Sequence, residues 1–75
     1  MTVEQRTEAH QRIDALMAAR RAERLWENAW NRAILAHSAG AQQIFELETA
    51  AAERYARAGQ GALARYRRLQ ARGGK

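Results

Sequence analysis

Between Val3 and His37 nothing in the sequence stops a helix: the chain has no proline, its first glycine is Gly40, and apolar residues recur at intervals of three and four. An uninterrupted pattern of that length makes a rod of roughly 50 Å at about 1.5 Å per residue, and one side of it must be buried against something. The rest of the composition points the same way. Eighteen Ala and twelve Arg against a single Lys are side chains that lose little freedom in a helix. The fold class expected is all-α, in a single domain covering residues 1–75.

Local signals place the ends. Thr2 followed by Gln5 has the spacing of a capping box, so helix 1 should begin near Val3 and run to about residue 37. His37-Ser38-Ala39-Gly40 is the one mid-chain stop, because glycine accepts the left-handed geometry that closes a helix and serine competes for backbone hydrogen bonds. With the turn at 38–40, helix 2 covers about 41–71 and the tail 72–75 frays. Gly59 and Gly61 are the weak point, since glycine in a helix costs roughly 1 kcal/mol relative to alanine. They mark either a break that starts a third helix or a surface where another helix packs closely. A single unbroken rod is disfavoured by its length.

Two apolar stripes follow. Helix 1 carries Val3, Ile13, Leu16, Met17, Leu25, Trp26, Trp30, Ile34 and Leu35, with Ala9, Ala19, Ala22, Ala29 and Ala33 between them. Helix 2 carries Ile44, Leu47, Ala51, Tyr55, Ala58, Ala62, Tyr66 and Leu69, near a heptad seam. Folding about Ala39 and Gly40 gives an antiparallel two-helix hairpin. It sets Trp26 and Trp30 against Ala50, Ala51 and Ala52, Ile34 against Ile44 or Phe45, and Ile13 against Tyr66. Large side chains would then meet small ones, as dense packing requires.

Two helices share one seam, and it cannot hide all of these side chains. Apolar patches left outside usually mark interfaces, and the simplest cover is a second copy, giving a homodimeric four-helix bundle. Leu25, Trp26, Trp30, Ile34, Phe45 and Tyr55 are the candidate residues for that dimer contact or for a partner protein, since aromatic anchors dominate interface energetics. A monomer with a third helix after Gly61 is the plainer alternative.

Charge is divided along the chain. Residues 1–53 hold six Arg against seven Glu and Asp14, net −2, whereas 54–75 hold Arg54, Arg57, Arg65, Arg67, Arg68, Arg72 and Lys75 with no acid, net +7. Those six arginines form the candidate basic surface, and their field attracts acidic protein patches, nucleic acid or anionic lipid alike. Arg65, Arg68 and Arg72 share a helix face, which Arg54 and Arg57 extend backwards with Gly61 in the gap. Basic residues near a helix C-terminus are also ordinary complements of its dipole.

Chemistry finds little footing. With no cysteine there is neither a disulfide framework nor a thiolate metal site. His10 with Asp14, and His37 near Gln42 and Glu46, are helical neighbours too few in donors for zinc. Glu23 with Glu27, and Glu46 with Glu53, lie within reach of Arg20, Arg24, Arg54 or Arg57 and read as solvated ion pairs worth under about 1 kcal/mol each. Ser38 and Thr49 have no histidine and acid arranged around a cleft, and Ala58-Gly59-Gln60-Gly61 lacks the spacing of a phosphate loop. No catalytic, metal or cofactor residue is assigned, and no small-molecule substrate is expected.

The uncharged apolar runs fall far short of the ~20 residues of a membrane span, and the first residues carry no signal-peptide pattern, so a cytoplasmic location is expected. The sequence leads to a non-enzymatic regulator or inhibitor that binds a larger protein, one with an acidic or apolar patch, through an aromatic and arginine surface. Small stand-alone chains of this kind are frequent among phage and plasmid accessory genes. The alternative is a small basic protein binding DNA or structured RNA through the arginine-rich end of helix 2.

Overall fold

The computed structural model describes residues 2–73, which form two helices, α1 (Val3–Ser38) and α2 (Gln42–Gly73), packed against each other as an antiparallel hairpin 57 Å long. Both ends of α1 follow from local chemistry. The Thr2 hydroxyl accepts from the Gln5 backbone N–H at 3.1 Å while the Gln5 side chain accepts from the Thr2 N–H at 3.0 Å, so the capping box is complete. At the other end Gly40 takes φ 74°, its N–H donates to the His37 carbonyl at 3.1 Å, and Ala41 N–H reaches back to Ala36 O at 2.8 Å. That is a Schellman closure, and it reverses the chain within three residues.

The helix bounds lie within a residue or two of those read from the sequence. Arg72 and Gly73, expected in a frayed tail, continue α2, while Gly74 and Lys75 lie outside the described residues.

The expected weak point at Gly59 and Gly61 is not a break: α2 runs through both. The two glycines differ in kind. A methyl group on Gly59 would stand 3.3 Å from the Ala22 Cβ, so its bare backbone lets the helices approach, whereas one on Gly61 meets nothing within 4 Å. Gly61→Ala should therefore raise stability by about 0.5–1 kcal/mol through helix propensity alone. Gly59→Ala should gain less or lose, because the same propensity is set against a contact that forces the helices apart. Thermal melts of the two variants side by side test the difference.

The buried layer is made of the smallest side chains. Ala15, Ala22, Ala29, Ala33 and Ala36 of α1 and Ala52 of α2 form the core, and among the described residues no large side chain is fully buried. On α1 the seam reads Arg12, Ala15, Ala19, Ala22, Trp26, Ala29, Ala33 and Ala36, alternating steps of three and four. On α2 it reads Phe45, Glu48, Ala52, Tyr55, Gly59, Ala62, Tyr66 and Leu69 in the same rhythm.

Two expectations are corrected here. The alanines of α1 are the core and, Trp26 apart, its large apolar residues flank them. The α2 seam also lies one residue later than expected before Tyr55 and again at Gly59: Ile44 and Leu47 stay 54% and 70% exposed, and Phe45, Ala52 and Gly59 take the inward places of Ile44, Ala51 and Ala58. The reason is separation. Helices that approach as closely as Gly59 and Ala22 leave no room for leucine or isoleucine between them, so bulk is displaced sideways.

Candidate interaction surface

The seam divides the hairpin surface into two long flanks. One is traced by an open groove between Leu16, Arg20, Glu23 and Trp26 of α1 and Tyr55, Ala56 and Leu63 of α2. Seven-residue steps extend this tryptophan flank along α1 to Trp30 from Glu23, and through Ile13, Arg20, Glu27 and Ile34. The opposite, arginine flank is traced by a groove of Gln11 and Asp14 with Arg65, Arg68, Leu69 and Arg72. Leu25, seven residues before Arg32, lies on this side, where the Arg32 Nε meets the Glu48 carboxylate at 3.0 Å.

The candidate aromatic and apolar residues are therefore not one cluster. Trp26 and Tyr55 line the same groove, and Trp30 and Ile34 continue that flank by steps of four. Leu25 is on the other side. Phe45 is half-buried at the turn, its ring 5.2 Å from that of His37 and tilted by 47°. Trp26 does not nest on the strip Ala50–Ala52 as expected. Trp26 lies beside Tyr55 and Ala56, Ala50 is exposed, and the two tryptophans remain 38% and 41% exposed.

The six arginines divide as well. Arg65, Arg68 and Arg72 converge on one groove with Asp14 across from them. Arg54 lies fourteen residues before Arg68 and so shares its flank, with Gly61 between. Arg57 faces away from α1, and Arg67 follows Gln60 by seven onto the tryptophan flank. All six are exposed.

Among the described residues ion pairs are confined to Arg32–Glu48 and an exposed His10–Asp14 contact at 3.6 Å. Glu23, Glu27 and Glu53 thus lack the intramolecular partners expected of them, and Glu46 instead accepts from the Gln42 side chain at 3.2 Å. Among the described residues no three His, Cys, Asp or Glu side chains gather where a metal could be held, and no helix is long and apolar enough to cross a membrane.

The residues overlooked in the sequence are Ile13, Leu16, Arg20, Glu23 and Glu27, which share a flank with the tryptophans. Their seven-residue spacing was the available signal. What the arrangement offers chemically is adhesion: both indoles on one flank, three converging guanidinium groups on the other, and exposed hydrophobes on each. No family model, curated protein or solved structure matches the chain.

Proposed function

We propose that this chain is a non-enzymatic cytoplasmic regulator that acts by occupancy: a homodimer of helical hairpins whose aromatic and arginine surface holds a larger protein through an acidic or apolar patch. The observation that carries this reading is the inverted use of side chains. Alanines are withdrawn from water while, among the described residues, eleven larger hydrophobes stay exposed, and surfaces of that composition are usually completed by another chain. Arginine in place of lysine suits such contacts, because a planar, weakly hydrated cation stacks and pairs bidentately.

The test is capture with the tagged protein from a native lysate, with and without nuclease, beside a solution mass. The expected result is a mass twice that of the 8.5 kDa chain and a protein retained after nuclease treatment. A monomer at every concentration, with nothing retained, contradicts it.

Nucleic-acid binding is the second reading, and the convergence of Arg65, Arg68 and Arg72 on one groove favours it. If these three neutralise three phosphates of duplex DNA, log affinity falls against log salt with a slope of about −2.7. The double variant Arg65→Ala with Arg68→Ala should keep the wild-type circular dichroism and melting temperature, because neither residue is buried. Mobility shifts at two salt concentrations read the binding, and the absence of any shift at low salt removes this reading.

A further inference from the structure

Beside its alanine seam, α1 carries a second stripe with the same alternation of three and four: Ile13, Leu16, Arg20, Glu23, Glu27, Trp30 and Ile34. It runs along the tryptophan flank, and every member except the half-buried Leu16 is exposed. Its ends are apolar and its middle is charged. Read backwards, it keeps its hydropathy and inverts its charge on either side of Glu23, which maps onto itself: Ile34 replaces Ile13, Trp30 replaces Leu16, and Glu27 stands where Arg20 stood. Such a surface complements itself after a half-turn.

Resting on the homodimer proposed above, we infer that a second copy of this chain covers the tryptophan flank, running antiparallel about a two-fold axis level with Glu23 and Arg24. Ile13 then meets Ile34 of the second copy, Leu16 meets its Trp30, and Arg20 meets its Glu27, each contact occurring twice by symmetry. Neither Arg20 nor Glu27 has an ion-pair partner within its own chain among the described residues. A parallel arrangement sets Arg20 on Arg20 and Glu27 on Glu27, so the charges select the direction while the apolar ends supply the affinity.

The other helix agrees independently. Ala22 opposite Gly59 and Arg32 bonded to Glu48 fix the hairpin register, which brings the axis to the level of Arg57 on α2. The exposed Glu46 and Arg67 lie on the same flank at similar distances either side of that level, so Glu46 of one copy meets Arg67 of the other. Opposite charge recurs at the outer mated positions on both helices, Glu23 alone meeting its own copy at the axis. Dimerisation through this flank leaves Arg65, Arg68 and Arg72 on the outer faces of the bundle.

Charge reversal tests the pairing. Arg20→Glu or Glu27→Arg alone sets like charges at both symmetry-related contacts and should weaken the dimer at least about tenfold, with helicity unchanged. Mixing the two single variants restores opposite charges at both contacts, so they should form a heterodimer of near wild-type affinity, measured by sedimentation. Direction is read separately, because a chain without cysteine accepts a unique thiol. Glu23→Cys, at the axis, should be joined by a short bis-maleimide. Leu16→Cys should not, its two copies standing roughly 20 Å apart along the bundle at about 1.5 Å per residue. Equal cross-linking at both sites, or a dimer indifferent to charge reversal and mixing, overturns this geometry and leaves the homodimer standing. A wild-type chain that stays monomeric overturns both.

Discussion

Ala29→Leu is expected to lower hairpin stability by about 1–3 kcal/mol, the usual cost of forcing added methylenes into a packed interior. Ala29 is 0% exposed. Seven residues before it Ala22 meets Gly59, and the antiparallel register therefore brings Ala29 level with Ala52, itself 2% exposed. Two methyl groups facing each other leave no gap for an isobutyl group, so the helices must separate along neighbouring layers too. Domains carry about 0.05–0.15 kcal/mol of stability per residue, which makes this loss a large share of the total for so short a chain. A drop in melting temperature of roughly 4–8 °C per kcal/mol should follow in circular dichroism melts. A conventional reading of hydrophobicity predicts the reverse, since leucine is the more apolar residue. An unchanged or raised melting temperature contradicts the close alanine seam.

Trp30→Ala should behave in the opposite way. The indole is 41% exposed in the hairpin and lies outside the seam, so its removal should leave helical content close to wild type. In the proposed dimer its weight falls on the contact between copies. Truncating an aromatic anchor at an interface typically costs about 2 kcal/mol or more, equivalent to weakening association about thirtyfold. Symmetry counts that loss twice in each dimer. Sedimentation equilibrium over a concentration series reads the shift, with circular dichroism at the same concentrations as the folding control. Self-association indistinguishable from wild type contradicts the assignment of this flank to the dimer. Together the two variants separate what holds the hairpin from what holds its copies.

The parts of the fold governed by neighbouring residues were legible in the sequence. The Thr2 and Gln5 capping box, the turn at Gly40 and the antiparallel pairing all depend on groups a few residues apart, and each is found at or within a residue or two of its expected place. The identity of the core was not legible. Hydropathy ranks side chains by what each gains in leaving water, and by that measure Trp26, Trp30 and Leu47 outrank any alanine. What decides the seam is the distance between two backbones, which no single helix reveals. Ala15, Ala22, Ala29 and Ala36 at strict seven-residue intervals were the visible trace of it. Glu48 masked the matching row on α2: an acid at a seam position reads as surface, yet here it is largely covered and bonded to Arg32. The candidate surface was legible only as a list of residues. Its division into two flanks needed the seam first, which is why Leu25 was grouped with tryptophans from which α1 separates it.

A seam of single methyl groups also couples folding to dosage. Each alanine layer removes little area from water, so an isolated hairpin has only a thin margin over the disordered chain. In the proposed dimer the larger share of the available apolar contact would be gained when copies meet, and mass action would then enter the melting curve. Under the proposed dimer, dilution would lower the melting temperature while leaving the hairpin folded at ambient temperature.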